Sequence, residues 1–246
     1  MCSAAAAGPL NLRLCNRLLV QLAEATAALG RAGVVNADAK PQNTTVTAAG
    51  QVQLIDLDGA TFVMPEDCRA QAAAMAEARL AHEEVQEAAA DLEGAEAQVL
   101  EAMVALALAR PGAVEELDGA EAQRDRVEMW REAASDLVGL TAAAATKAMV
   151  GYRPTVITDC FAPPEALDRH CAPFVCVASN VWLFGASAAY LVGRVRAAAG
   201  ARTGGAPGLS RKEAAWCDAV ATVADECMVR EPWLRPDMDD VAARLR

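Results

Sequence analysis

Val34 to Val63 reads VVNADAKPQNTTVTAAGQVQLIDLDGATFV, and two short apolar runs inside it govern the reading of the whole chain. Thr44–Val46 and Val52–Ile55 flank Ala48-Ala49-Gly50, the small-residue and glycine pattern of a hairpin turn. Asp38, Lys40 and Asn43 stand just before the first run, and Asp56 and Asp58 just after the second. A hairpin this short returns the chain to where it left. Asp38, Lys40, Asn43 and Asp56 are therefore predicted to converge on one small site. Two carboxylates, an amide oxygen and an ammonium suit a divalent cation together with a phosphate.

Around this stretch lie 246 residues, enough for one or two domains with a real core. Hydrophobic residues are 54% of the chain but aromatics only 4%, so alanine carries much of the apolar fraction and a helix-rich core of small side chains is expected. The net charge of −11 lies wholly in residues 64–150, which hold 18 acidic and 7 basic residues. No basic region suits a nucleic-acid partner. Eight cysteines form no CxxC pair and there are two histidines, which disfavours a zinc site. Scattered thiols behind MCSAAAAGP, which is too short and small for a secretory leader, fit a reducing, intracellular and cytoplasmic setting.

Taken in order, residues 1–9 form a tail. Leu10 to Gly30 is predicted helical, with Leu12, Cys15, Leu18, Leu19, Leu22, Ala25 and Leu29 at three-and-four spacing and Gly30 and Gly33 ending it. Residues 64–151 read as an acidic Ala/Glu-rich helical insertion. Val85, Leu92, Val99 and Leu106 recur every seven residues, each followed three residues later by alanine. Arg110-Pro111-Gly112 breaks the run, and Leu117, Val127, Trp130, Ala134 and Leu137 begin a second, which predicts an antiparallel helical hairpin. Cys171 to Gly193 holds no charged residue. A membrane span is not favoured there, because Pro173, Asn180 and Ser187 interrupt it. Ala197 to Leu209 reads as a surface loop, Trp216 to Val229 as a helix, and Pro236-Asp237 as the start of a short last helix.

The segment Asn36-Ala37-Asp38-Ala39-Lys40-Pro41-Gln42-Asn43 and the later Asp56-Leu57-Asp58 resemble two motifs of the protein kinases, the catalytic loop H-R-D-x-K-x-x-N and the metal loop D-F-G. The interval of 13 residues from Asn43 to Asp56 is the family's own. Thr158-Asp159-Cys160-Phe161-Ala162-Pro163-Pro164-Glu165 is similar to T-x-x-Y-x-A-P-E, and Asn180-Val181-Trp182-Leu183-Phe184-Gly185 to D-V-W-S-L-G. Arg235, before Pro236, is the expected partner of Glu165. Aminoglycoside-type small-molecule kinases share the first pattern but lack the later two.

The resemblance implies a mainly α fold, the C-terminal lobe of a protein kinase with a small catalytic-loop hairpin. Residues 10–63 and 152–246 would form the lobe, with 64–151 inserted in its activation segment. It implies ATP-dependent phosphoryl transfer to protein serine or threonine, with Mg2+ and ATP as cofactors. Asp38 would accept or orient the substrate proton, Lys40 would stabilise charge on the phosphoryl group, and Asn43 and Asp56 would hold magnesium. Thr158, Glu165, Asn180 and Arg235 would be structural. Singly, Asp38 and Asp56 read as loop caps, Asn43 as a turn former and Lys40 as a solvated charge. The spacing of the set favours the site.

Several positions depart from the family. Ala37 stands for the arginine that meets an activation-segment phosphate, Asn36 for a histidine that helps hold the metal loop, and Asp58 for a glycine. Gly59 is expected to take over that turn, displaced by one residue. Asn180 replaces an aspartate and is expected to anchor the catalytic loop more weakly, with one amide oxygen and no charge. No G-x-G-x-x-G occurs before Asn36 and no lysine before Lys40. The expectation is the large lobe alone, as a fragment or completed by a partner, weakly active or inactive by itself. The alternative is a pseudokinase-type interaction module using 64–151 as a docking arm for a protein partner.

Overall fold

A computed structural model of the chain describes residues 11–109, 158–167, 175–202 and 208–246, with 128, 129 and 132 besides. The protein is mainly helical, with two small antiparallel sheets of two strands each. By its internal contacts it divides into two units, residues 1–71 with 150–246, and residues 72–149.

The first unit opens with α1 (Leu12–Arg31), capped by Asn11, whose Oδ1 accepts the Leu14 N–H at 3.1 Å. Its buried face is Leu19, Ala23, Thr26 and Ala27. Leu19 of the expected leucine stripe is in this face and Leu22 packs beside it, while Ala23, Thr26 and Ala27 extend it. Three-residue strands follow: β1 (Val34–Asn36), β2 (Thr44–Val46), β3 (Val52–Leu54) and β4 (Ala60–Phe62). β2 and β3 form the hairpin, with Gly50 at φ +74° in its turn. Gln21 of α1 ties the hairpin down with both ends of its amide. Its Nε2 donates to the Gly50 carbonyl at 3.2 Å, and its Oε1 accepts the Val52 N–H at 2.8 Å. β1 pairs with β4, Asn36 opposite Ala60, so the start of one loop lies beside the end of the next.

Helix α2 (Pro65–Ala109) begins in the first unit and continues into the second. The heptad residues Val85 to Leu106 all lie on this one continuous helix of 45 residues. The break at Arg110-Pro111-Gly112 and the second run from Leu117 lie outside the described residues, apart from short helical pieces at 128, 129 and 132.

Past the single turn α3 (Pro164–Leu167), the core of the first unit is built on α4 (Val177–Arg202). Val181, Phe184, Ala188, Val192 and Val195 of α4 pack with residues of α1, of α5 (Arg211–Cys227) and of α6 (Met238–Leu245). Gly185 is where α4 comes closest to α5: a Cβ there would lie 2.7 Å from Cys227 Cβ and 2.9 Å from the Ala224 carbonyl oxygen. α4 is longer than the sequence suggested. Residues 197–202, read there as loop, continue the helix, because four alanines outweigh one glycine in helix propensity. α5 also starts earlier than read, at Arg211, on a capping box between Ser210 and Glu213. Among the described residues no helix is long and apolar enough to cross a membrane.

Glu165 and Arg235 meet in the interior as a bidentate pair, Nη1 to Oε1 at 2.7 Å and Nη2 to Oε2 at 2.8 Å. Arg235 also donates from Nε to the Val229 carbonyl at 3.0 Å, from Nη1 to Ala178 at 3.0 Å and from Nη2 to Arg230 at 3.2 Å. All five guanidinium N–H groups are thereby used. Ser179 Oγ donates to Glu165 Oε1 at 2.7 Å, and the guanidinium lies 5.1 Å from the centre of the Trp182 ring. Burial, then the Glu165 charge, push the nearby Cys176 thiol up to about 11, so it packs as a neutral side chain.

A buried pair of this kind is costly to break from one side. Arg235→Ala strands the Glu165 carboxylate and is expected to lower stability by roughly 3–5 kcal/mol in denaturant unfolding. Combining it with Glu165→Gln recovers part of that loss. Simple additivity in the double-mutant cycle would contradict the coupling.

Candidate functional site

The loop between β1 and the hairpin is shaped by backbone needs before any side chain chemistry. Asn180, buried near the start of α4, spans β1 with both ends of its amide. Its Oδ1 accepts the Asn36 N–H at 3.0 Å and its Nδ2 donates to the Val34 carbonyl at 2.8 Å. The sequence suggested a weakened anchor here. The amide instead makes two bonds of opposite sense, and a carboxylate has no N–H for the second. Asn36 passes the constraint on, its Oδ1 accepting the Asp38 N–H at 3.2 Å. Asn36 Nδ2 is buried without a partner, a cost of roughly 1–3 kcal/mol that the loop tolerates. Ala37 is buried with Val35, Val63, Ala166 and Val175, and fixes the loop from beneath.

Asp38 is the centre of the resulting cluster and is buried. Its Oδ2 accepts Lys40 Nζ at 2.7 Å and Asn43 Nδ2 at 3.0 Å, while Oδ1 accepts the Thr158 hydroxyl. Lys40 Nζ also donates to Thr158 Oγ1 at 2.7 Å, closing a triangle of carboxylate, ammonium and hydroxyl. Asn43 sits in a 3-10 turn, Pro41–Asn43, and adds a second bond from Nδ2 to the Asp38 carbonyl at 3.0 Å. Burial pushes the Asp38 carboxyl up. The hydrogen bonds from Lys40 and Thr158, the Lys40 charge and the Asn43 amide outweigh it and hold the group below the usual carboxylate range. Three of about four acceptor directions on the carboxylate are taken, which leaves room for one more donor.

Asp56 enters differently. The Ile55 N–H donates to the Asn43 carbonyl at 2.9 Å, which brings the start of the 56–59 segment beside Asn43. The Asp56 side chain remains exposed, outside the hydrogen-bonded cluster. Three of the four expected residues therefore converge tightly, and Asp56 is adjacent to them through the backbone. Asp56 has φ +58°, left-handed and unusual for a residue with a side chain, although aspartate tolerates it better than most. The displaced glycine turn does not occur. The turn closes with Ala60 N–H to Leu57 carbonyl at 2.9 Å, but the positive φ falls on Asp56, not on Gly59. Such strain is held where surroundings over-determine it.

For a cation, Asn43 retains its Oδ1 and Asp56 its whole carboxylate. Among the described residues no three His, Cys, Asp or Glu side chains group together as a metal site. Two side-chain oxygens with the rest water is a donor set that fits a hard, water-retaining cation such as magnesium. Glu165 and Arg235 lie in the core and act through packing. Ser179 and Gln21 were missed as organisers: each is a single polar residue whose partner is a backbone group or side chain elsewhere in the chain or set by a turn.

Asp38 yields a test with a definite sign. Its folded pKa lies below the unfolded value, so its stabilisation is complete above the ordinary carboxylate range and is lost as pH falls through the folded value. The stability advantage of the native chain over Asp38→Asn is therefore expected at neutral pH and should vanish in acid. Carboxyl NMR titration should show the Asp38 pKa rising in Thr158→Val and rising further in Lys40→Met. An unchanged value in both would contradict the geometry.

No protein-family model matches the sequence, and no curated protein matches it either.

Proposed function

We propose that residues 10–63 and 152–246 are a divergent protein-kinase-like C-terminal lobe, with 64–151 inserted in its activation segment, and that its chemistry is Mg–ATP-dependent phosphoryl transfer to a serine or threonine hydroxyl. The observation that carries the reading is the seating of one hydroxyl, that of Thr158, between the Asp38 carboxylate and the Lys40 ammonium. A hydroxyl of the chain held between that pair supports the reading that the pair receives an alcohol. Asp38, held anionic, orients a hydroxyl by accepting its hydrogen bond; with a lowered pKa it is a weak base and takes the proton late. Lys40 supplies positive charge beside that oxygen. Asn43 and Asp56 would hold the magnesium. The bound Mg–nucleotide would supply the phosphoryl group and the neutralisation of its charge.

Phosphoryl transfer depends almost wholly on positioning and electrostatics. With only the Asn43 amide oxygen and the Asp56 carboxylate offered to the cation, these residues by themselves are expected to bind Mg–nucleotide weakly and to give weak or no transfer. The exposed, strained Asp56 favours a second reading, a pseudokinase-type module whose contribution is binding rather than catalysis. A protein partner for the 64–151 arm belongs to that reading.

Calorimetric titration of Mg–ATP into the purified chain, beside a radiolabel transfer assay, separates these cases. Weak binding is expected, with no transfer beyond that of Asp38→Ala, and Asp56→Ala should abolish what binding there is. Micromolar affinity with transfer that Asp38→Ala removes would show a competent kinase. Binding unaffected by Asp56→Ala would count against the assigned metal site.

A further inference from the structure

On the first unit, away from the Asp38 cluster, an open groove of about 600 Å3 runs between the early turns of α1, Trp216 of α5 and Arg246. Its polar groups divide sharply into spent and free. Asn16 is spent, with Nδ2 donating to the Leu245 carbonyl at 2.7 Å and Oδ1 accepting the Trp216 indole N–H at 3.2 Å. Gln21 is spent on Gly50 and Val52. Arg246 donates to Glu24 at 2.7 Å. Arg13 and Arg17 remain exposed, four residues apart on one helix face, with no carboxylate partner among the described residues. The rest of the lining is apolar: Leu12, Val20 and the Trp216 ring.

We propose that this groove docks an acidic segment of a partner protein, with an apolar side chain seated on Trp216 and carboxylates taken by Arg13 and Arg17. Guanidinium groups receive carboxylates bidentately, and a half-covered indole lining the same groove as two of them is the composition of an interface anchor. Charge complementarity selects the occupant. Residues 1–10, which adjoin α1, hold no Asp or Glu. A nucleic acid would meet only two free arginines on a chain of net charge −11, too few for a phosphate track. The inference is independent of the kinase-like reading, because no residue of the Asp38 cluster lines the groove.

The test is fluorescence anisotropy on the full chain. The probe is a short fluorescein-labelled peptide with acidic residues flanking a Leu-Trp-Leu core. Controls carry lysine for the acidic residues or serine for the core. Saturable binding is expected, weakened at least about tenfold in Arg13→Glu/Arg17→Glu, with that variant preferring the lysine peptide. Both substitutions are at exposed positions and leave the fold intact, which circular dichroism checks. Absence of saturable binding, equal affinity in the double variant or equal affinity for the serine-core peptide would overturn the proposal. Tighter binding of a single-stranded oligonucleotide would overturn it too. Self-association that the double variant abolishes would replace the partner with a second copy of the chain.

Discussion

The candidate site depends on one amide. Asn180 grips β1 at the Val34 carbonyl and the Asn36 N–H, and thereby registers a three-residue strand against the most buried helix of the first unit. Strands this short have little stability of their own. β1 holds its place because one partner strand, one apolar patch and this side chain all fix it. From Asn36 the constraint passes through a single hydrogen bond to the Asp38 backbone, and from there to Lys40, Asn43 and Thr158. A carboxylate in place of Asn180 would accept one N–H and face the other carbonyl with no proton to offer.

The interior pair of Glu165 and Arg235 contributes in another way. Desolvating two charges is expensive, and their attraction offsets this only when every remaining donor and lone pair finds company. Arg235 uses all five N–H groups, three of them on carbonyls of the Ala178 and Val229–Arg230 segments. The pair therefore ties the turn at α3 to the chain entering α6. That tie bears on the site, because Glu165 lies seven residues after Thr158, whose hydroxyl reaches the Asp38 cluster from 120 residues away in sequence.

Much of this was legible because it rests on local spacing. The hairpin follows from two runs and a glycine, and the Asp38, Lys40, Asn43 set from positions within one loop. Glu165 and Arg235 were paired through the resemblance of the motifs that hold them, together with the need of a buried carboxylate for a guanidinium partner. The illegible parts have physical reasons. β1 and β4 are three residues each, too short for any period to register. The alanines of 197–202 read as loop beside glycines, yet their propensity carries α4 onward. The two-sided bond of Asn180 depends on which strand groups face it, which composition does not encode. The left-handed turn at Asp56 rather than Gly59 is set by the Ile55–Asn43 bond and the β1–β4 register together.

If the Asn180 amide is what registers the site, the Asn36 N–H is its most direct reporter, since Asn180 Oδ1 is its acceptor. Native-state hydrogen exchange on the full chain, comparing the native protein with Asn180→Asp and Asn180→Ala, measures it. The account predicts strong Asn36 protection in the native protein. It predicts loss at Asn36 and through residues 34–43 in Asn180→Ala, while amides of α4 and α5 keep theirs. In Asn180→Asp the Asn36 amide keeps part of its protection and the loss is centred on β1. Unchanged protection of Asn36 in Asn180→Ala would contradict the account, as would loss spread evenly over α4 and α5.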